Sequence, residues 1–172
     1  MPDLVYATAP VSSALLARQL PHPHFADAYA VVLPPGAPTP AAALAYALLG
    51  QGPAWLRQLM RLRDALVRPL GLRTFPPRPA APALPLVPGA QFGPFRVLCV
   101  TPAEVVLGQD DRHLDFRVSV RLEPGAARAV VTTTVRCHNT LGRLYFALIR
   151  PFHRRVVPAL LRRGLSRAAG GS

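Results

Sequence analysis

The chain has no lysine, two cysteines, one tryptophan and eight acidic residues among its 172 positions. Two cysteines cannot build a disulfide framework. Cys99 and Cys137 stand among apolar, strand-forming neighbours and read as reduced thiols of a cytoplasmic protein. Long hydrophobic runs are also missing. Pro34, Pro35, Pro38, Pro40 and Pro53 divide the uncharged stretch 28–56 so that only Ala41 to Leu49 is continuous. That segment is too short to cross about 30 Å of hydrocarbon as a helix. No basic segment precedes an apolar core in Met1 to Val11, so the N-terminus does not read as a signal peptide.

What is present is 51% hydrophobic residues with only 16% charged, which excludes general disorder, while 21 prolines and 12 glycines exclude an uninterrupted helical bundle. A single loop-rich domain of mixed structure remains, with boundaries at 20–168, a leader at 1–19, a Pro-rich loop at 72–91 and a disordered tail at 169–172. The net charge of +12 comes entirely from 20 arginines, alongside inflated alanine and proline, as a G+C-rich coding sequence produces whatever the function. Placement says more than the total: seven arginines and no acid follow Asn139, whereas five of the eight acids lie between Glu104 and Glu123. Aromatic residues are not interleaved with these arginines, so base stacking on nucleic acid is not favoured.

Ser12 or Ser13 caps a first short helix that ends near Gln19. Phe25, Tyr29, Val31 and Leu33 alternate along a strand that Pro34-Pro35-Gly36 ends. Thr39 is placed to cap a helix with Pro40 at its first position and Gly50 as a left-handed stop. A second helix follows from Pro53 to Gly71. Six prolines in 72–91 make this segment either a disordered excursion or a lid, with the preference for an ordered cover that adds Leu84 to Val87 as an edge strand. Four strands come next, at Phe92–Val100, Glu104–Gln109, His113–Leu122 and Arg128–His138, close enough together to pair as an antiparallel meander.

In the third of these, Leu114, Phe116, Val118, Val120 and Leu122 share one face, while His113, Asp115, Arg117, Ser119 and Arg121 share the other. Matching faces with the next strand favours a register that sets His113 opposite His138, Asp115 opposite Arg136 and Ser119 opposite Thr132. Asn139 or Thr140 caps a last helix reaching about Ser166. Its apolar stripe is Leu141, Leu144, Tyr145, Leu148, Ile149, Phe152, Val156, Leu160 and Leu161, and Pro151 and Pro158 are expected to bend it.

The resulting fold class is α+β, a curled antiparallel sheet around a long C-terminal helix. The block Gly108-Gln109-Asp110-Asp111-Arg112-His113-Leu114-Asp115-Phe116, with His138-Asn139, Gly142-Arg143-Leu144-Tyr145 and Pro151-Phe152-His153-Arg154, resembles the bacterial domain of unknown function 2867 family. Ala26-Asp27-Ala28-Tyr29, Pro53-Ala54-Trp55-Leu56 and Leu62-Arg63-Asp64 fit the N-terminal half of that family. The resemblance covers about Leu20 to Leu161 and implies a START-like, polyketide-cyclase-like (SRPBCC) helix-grip fold with a cavity between sheet and helix. No Gly-rich phosphate loop follows a strand, so no cofactor is implied.

The leading expectation is a small apolar or amphipathic ligand held between the sheet and the last helix. Trp55, Phe116, Val118, Leu148 and Phe152 would supply apolar contact, and Arg117, Arg143 or Tyr145 would orient a polar end. A cyclase- or dehydratase-like enzyme would use the same pocket, with His138, His153 and Tyr145 moving protons. A third reading makes the basic surface the working part, facing nucleic acid or an anionic surface; a second copy of the chain is a further candidate partner. His113, Asp115 and His138 could gather on the polar face. Two imidazoles and a carboxylate fall short of a structural metal site, so a solvated, ion-paired face is expected there instead, with no metal.

Overall fold

The computed structural model describes residues 4–11, 13–50, 52, 54–70, 85–123, 125 and 127–170. Its elements are β1 (Val5–Thr8), α1 (Ala14–Gln19), β2 (Phe25–Val32), α2 (Ala41–Leu49), α3 (Ala54–Val67), β3 (Gln91–Phe92), β4 (Phe95–Val100), β5 (Glu104–Asp110), β6 (Leu114–Leu122), β7 (Arg128–Cys137) and α4 (Thr140–Gly170). The seven strands form one open antiparallel sheet in the order β1-β2-β7-β6-β5-β4-β3, and α4 packs against it. This is a helix-grip fold.

Asp115 faces Arg136 and Ser119 faces Thr132, the register expected from the alternation, and the His138 N–H donates to the His113 carbonyl at 2.9 Å. Period-two patterning specifies this register because a one-residue slip would push Asp115 and Arg117 into the row of Phe116 and Val118. Val31, Val97, Val105, Leu107, Val120 and Val131 fill the inner face against Leu44 and Leu48 of α2 and Leu161 and Leu165 of α4.

Several local expectations are corrected. Ser13 does cap α1, by accepting the Leu16 N–H, but a strand not expected from the sequence, β1, precedes it at the edge of the sheet, with Val5 opposite Val31. The cap of α2 is Pro40, not Thr39. The Ala41 N–H that a Thr39 hydroxyl would have served donates to the Pro102 carbonyl in the β4–β5 turn. Gly50 closes α2 in a right-handed conformation, its N–H bonded to the Tyr46 carbonyl. The single strand expected at 92–100 is a hairpin, β3 and β4, turned by Gly93 at φ +57. Residues 85–87 form no strand, because the Val87 carbonyl is used in a turn to the Ala90 N–H; Leu84 and the rest of 71–84 lie outside the described residues. The last helix continues past Ser166 to Gly170 and runs through both prolines.

The polar face of β6 is not solvated. Asp115, Arg117 and Ser119 are all buried. Glu104 Oε1 accepts from Ser13 Oγ at 2.6 Å and Ser119 Oγ at 2.5 Å, which ties α1 to the outer face of the sheet. Arg117 reaches the Gln19 carbonyl at 3.3 Å and pairs with Asp110 at 2.6 Å, rather than with Asp115. Polar residues are sheltered here because they satisfy one another, which alternation alone does not reveal.

The α4 stripe is narrower than expected and turned. Leu161 and Leu165 are buried. Leu144, Leu148 and Phe152 are 65%, 66% and 47% exposed and form a row turned away from the sheet.

Candidate functional site beneath the last helix

Row by row, the register places Asp27 beside Thr133, then Val118, Leu107 and Val97, so a carboxylate enters the apolar inner face. One row over, Phe25 lies beside Val135 and Phe116. The C-terminal half of α4 is packed tightly on α2, but its N-terminal half covers Phe25, Phe95, Phe116 and Asp27, which stay half-buried, as does its own Phe146. His153 descends from α4 into this group. Its Nε2 lies 3.3 Å from Asp27 Oδ1, and its ring stands edge-on to Phe25 and Phe116, each 6.4 Å away between centroids. Phe95 stacks on Phe116 at 5.4 Å, and Phe146 meets Phe25 at 4.9 Å.

Asp27 Oδ2 is buried and has no hydrogen-bond partner among the described residues. Native structures seldom leave such an oxygen bare, because desolvating a charged acceptor without a donor is costly. Two positions along β2, the Tyr29 hydroxyl donates to the Arg154 carbonyl at 3.5 Å. Pro158 stands four residues after Arg154 and has no N–H to bond that carbonyl within the helix, so the proline leaves an acceptor for the sheet to use. Burial first, and then the charge of Asp27, push the Tyr29 phenol above its ordinary value, so it remains a donor.

Tyr145 is the other phenol on this flank. Arg63 Nε donates to its oxygen at 2.6 Å and Arg63 Nη1 pairs with Asp64 at 2.6 Å, which holds α3 beside α4. Burial raises the Tyr145 phenol despite the nearby guanidinium.

The expected residues divide between the two faces. Phe116 and Val118 belong to the inner face of the sheet, His153 reaches it from α4 and Tyr145 turns to Arg63 of α3, whereas Arg117 is on the outer side, engaged by Asp110 and Gln19. Trp55, Leu148, Phe152 and Arg143 are exposed and lie outside this aromatic group. His138 is likewise away from His153: its Nε2 contacts Asp115 Oδ1 at 3.0 Å, and Arg136 Nη2 contacts Oδ2 at 3.2 Å. His113 turns to Asn139 instead, and Asn139 Oδ1 caps α4 through the Gly142 N–H at 2.9 Å. No group of three or more histidine, cysteine or acidic side chains suited to a metal occurs among the described residues.

The sequence reading passed over Asp27, although the signal was there: in Phe25, Asp27, Tyr29, Val31 the acid occupies an apolar slot of an alternating strand. The family model described as a protein of unknown function, DUF2867, matches residues 19–160. The chain belongs to the DUF2867 family. The matched span of DUF2867 runs from the end of α1 into α4 and contains Asp27, Tyr145 and His153. No match is found among curated proteins or among solved structures. No helix of the described residues is long and apolar enough to cross a membrane.

The Asp115 cluster yields a pH prediction. Burial of the carboxyl acts upward, but hydrogen bonds from His138 and Arg136 outweigh it and hold Asp115 below its ordinary value of 3.8. A carboxyl depressed by folding adds stability that is fully present above its unfolded value and is lost as pH falls through the folded value. Asp115→Asn is therefore expected to cost about 1–2 kcal/mol at pH 7, a figure reduced for the partly exposed partners, and progressively less at an acidic pH below the ordinary value of 3.8. Urea titrations at the two pH values would measure this; an equal loss at both would show that packing, and not charge, is responsible.

Proposed function

We propose that this protein holds a small amphipathic molecule in the cleft between the sheet and the N-terminal half of α4. The apolar part would lie on Phe25, Phe95 and Phe116, and a hydroxyl or amine would donate to Asp27 Oδ2. The observation that carries this reading is the bare carboxylate oxygen in an aromatic, half-open surround. His153 fixes the other oxygen, so the free one is oriented before a ligand arrives, which lowers the entropic cost of recognition. Arg117 and His138 have no part in it. The helix-grip fold accords with a START-like assignment, and the two thiols without a disulfide accord with a cytoplasmic location.

The enzymatic alternative is narrowed to the same pair. An Asp–His couple beside a protonated tyrosine can take up and return one proton on a bound substrate, and His138 is not available to assist.

Native mass spectrometry of protein purified from its own host tests the proposal. Wild type is expected to carry a non-covalent small-molecule adduct that Phe116→Trp, which fills the cleft, does not retain. A bare mass for wild type, or an adduct kept by Phe116→Trp, would overturn it.

A further inference from the structure

The described residues leave one face of α4 uncovered, and its composition indicates what it meets. Leu144, Leu148 and Phe152 follow one another at four-residue spacing, all exposed, and Arg155 continues the same face one turn later. Arg143 and Arg154 run along one border of this row, and Arg162, Arg163 and Arg167 extend the basic surface; all five are exposed. Glu123 is the last acid in the chain, so no carboxylate on α4 offsets them. On the opposite border, the Arg63–Tyr145 hydrogen bond holds α3, which exposes Trp55 and Leu62.

Total charge says little here because arginine is inflated throughout the chain. Placement says more. Apolar side chains that stand clear of solvent-averse cover, bordered by cations with long aliphatic stems, form the pattern of a helix lying in the headgroup layer of an anionic bilayer. Leucine and phenylalanine would enter the acyl boundary while the guanidinium groups meet lipid phosphates. Duplex nucleic acid would use the cations but give no role to the apolar row.

We infer that the protein docks peripherally on anionic lipid membranes through the exposed Leu144–Leu148–Phe152 face of α4 and its flanking arginines. This surface is separate from the cleft, so the inference stands or falls independently of the ligand proposal.

The test is co-sedimentation of the full chain with vesicles of phosphatidylcholine alone or mixed with phosphatidylglycerol. Binding is expected to the mixed vesicles only, and to weaken at about 0.5 M NaCl, where the Debye length shortens to a few ångströms. The double variant Leu148→Ser/Phe152→Ser is expected to bind roughly tenfold more weakly, through lost apolar insertion. Arg154→Glu/Arg155→Glu should also weaken binding, while the circular dichroism of both variants stays that of wild type. Wild-type binding by the Leu148→Ser/Phe152→Ser protein, equal binding to neutral vesicles, or no binding to either would overturn the inference. So would light scattering that shows a dimer in wild type and a monomer in Leu148→Ser/Phe152→Ser, since a second copy would then cover this face.

Discussion

Gly164→Val is expected to destabilise the protein by roughly 3 kcal/mol or more, because the side chain would have to enter backbone and no rotamer can avoid that. A Cβ built at Gly164 would lie 2.6 Å from Leu48 Cα and 2.7 Å from the Leu48 carbonyl oxygen. Here α2 and α4 meet backbone to backbone, with Leu44, Leu48, Leu161 and Leu165 closing around the contact. Relief would require the helices to separate and give up that buried cluster. Thermal denaturation followed by circular dichroism measures the effect. A melting temperature within a few degrees of wild type would mean that α4 is not held on α2 as described.

The second large effect has the opposite sign. Asp27→Leu combined with His153→Leu is expected to stabilise the fold by about 1–4 kcal/mol, as can follow when an enclosed carboxylate–imidazole pair gives way to apolar side chains of similar size. Phe25 and Phe116 already surround the pair, and removing the unpartnered Oδ2 removes its desolvation cost. Any adduct retained by wild type should be lost in the same protein. Gain of stability with loss of ligand is the signature of a polar pair kept for function. If chemical denaturation instead gave a loss above about 1 kcal/mol, Asp27 and His153 would be a structural pair and the cleft would lose its functional argument.

Legibility in the sequence varied by element, for physical reasons. The β6–β7 register could be read because residues of contrasting chemistry alternate on both strands, and only a few alignments keep Asp115 beside Arg136. The Asn139 cap was legible because capping is local. By contrast, β1 is four residues long and acquires its strand character by pairing with β2. Burial of Asp115, Arg117 and Ser119 depends on α1 and the loops beside it closing over the outer face, a tertiary event that polarity conceals. The orientation of α4 was hidden for a related reason. Nine apolar positions make a stripe wider than one contact face, and the sheet and α2 select which of them are covered.

Tyr145 and His153 stand out in the sequence because residue type alone suggests their chemistry, and Phe116 because it alternates. Asp27 needed its neighbours on β7 and α4 to be seen as part of a pair. Arg117 was misplaced because its strand position puts it on the face opposite Phe116 and Val118.

The open sheet has a consequence at its margins. Its outermost strands, β1 and β3, have four and two residues, so each presents few free backbone groups to an incoming chain. Short borders of this kind discourage growth by strand addition and the fibrillar aggregation that can follow from it.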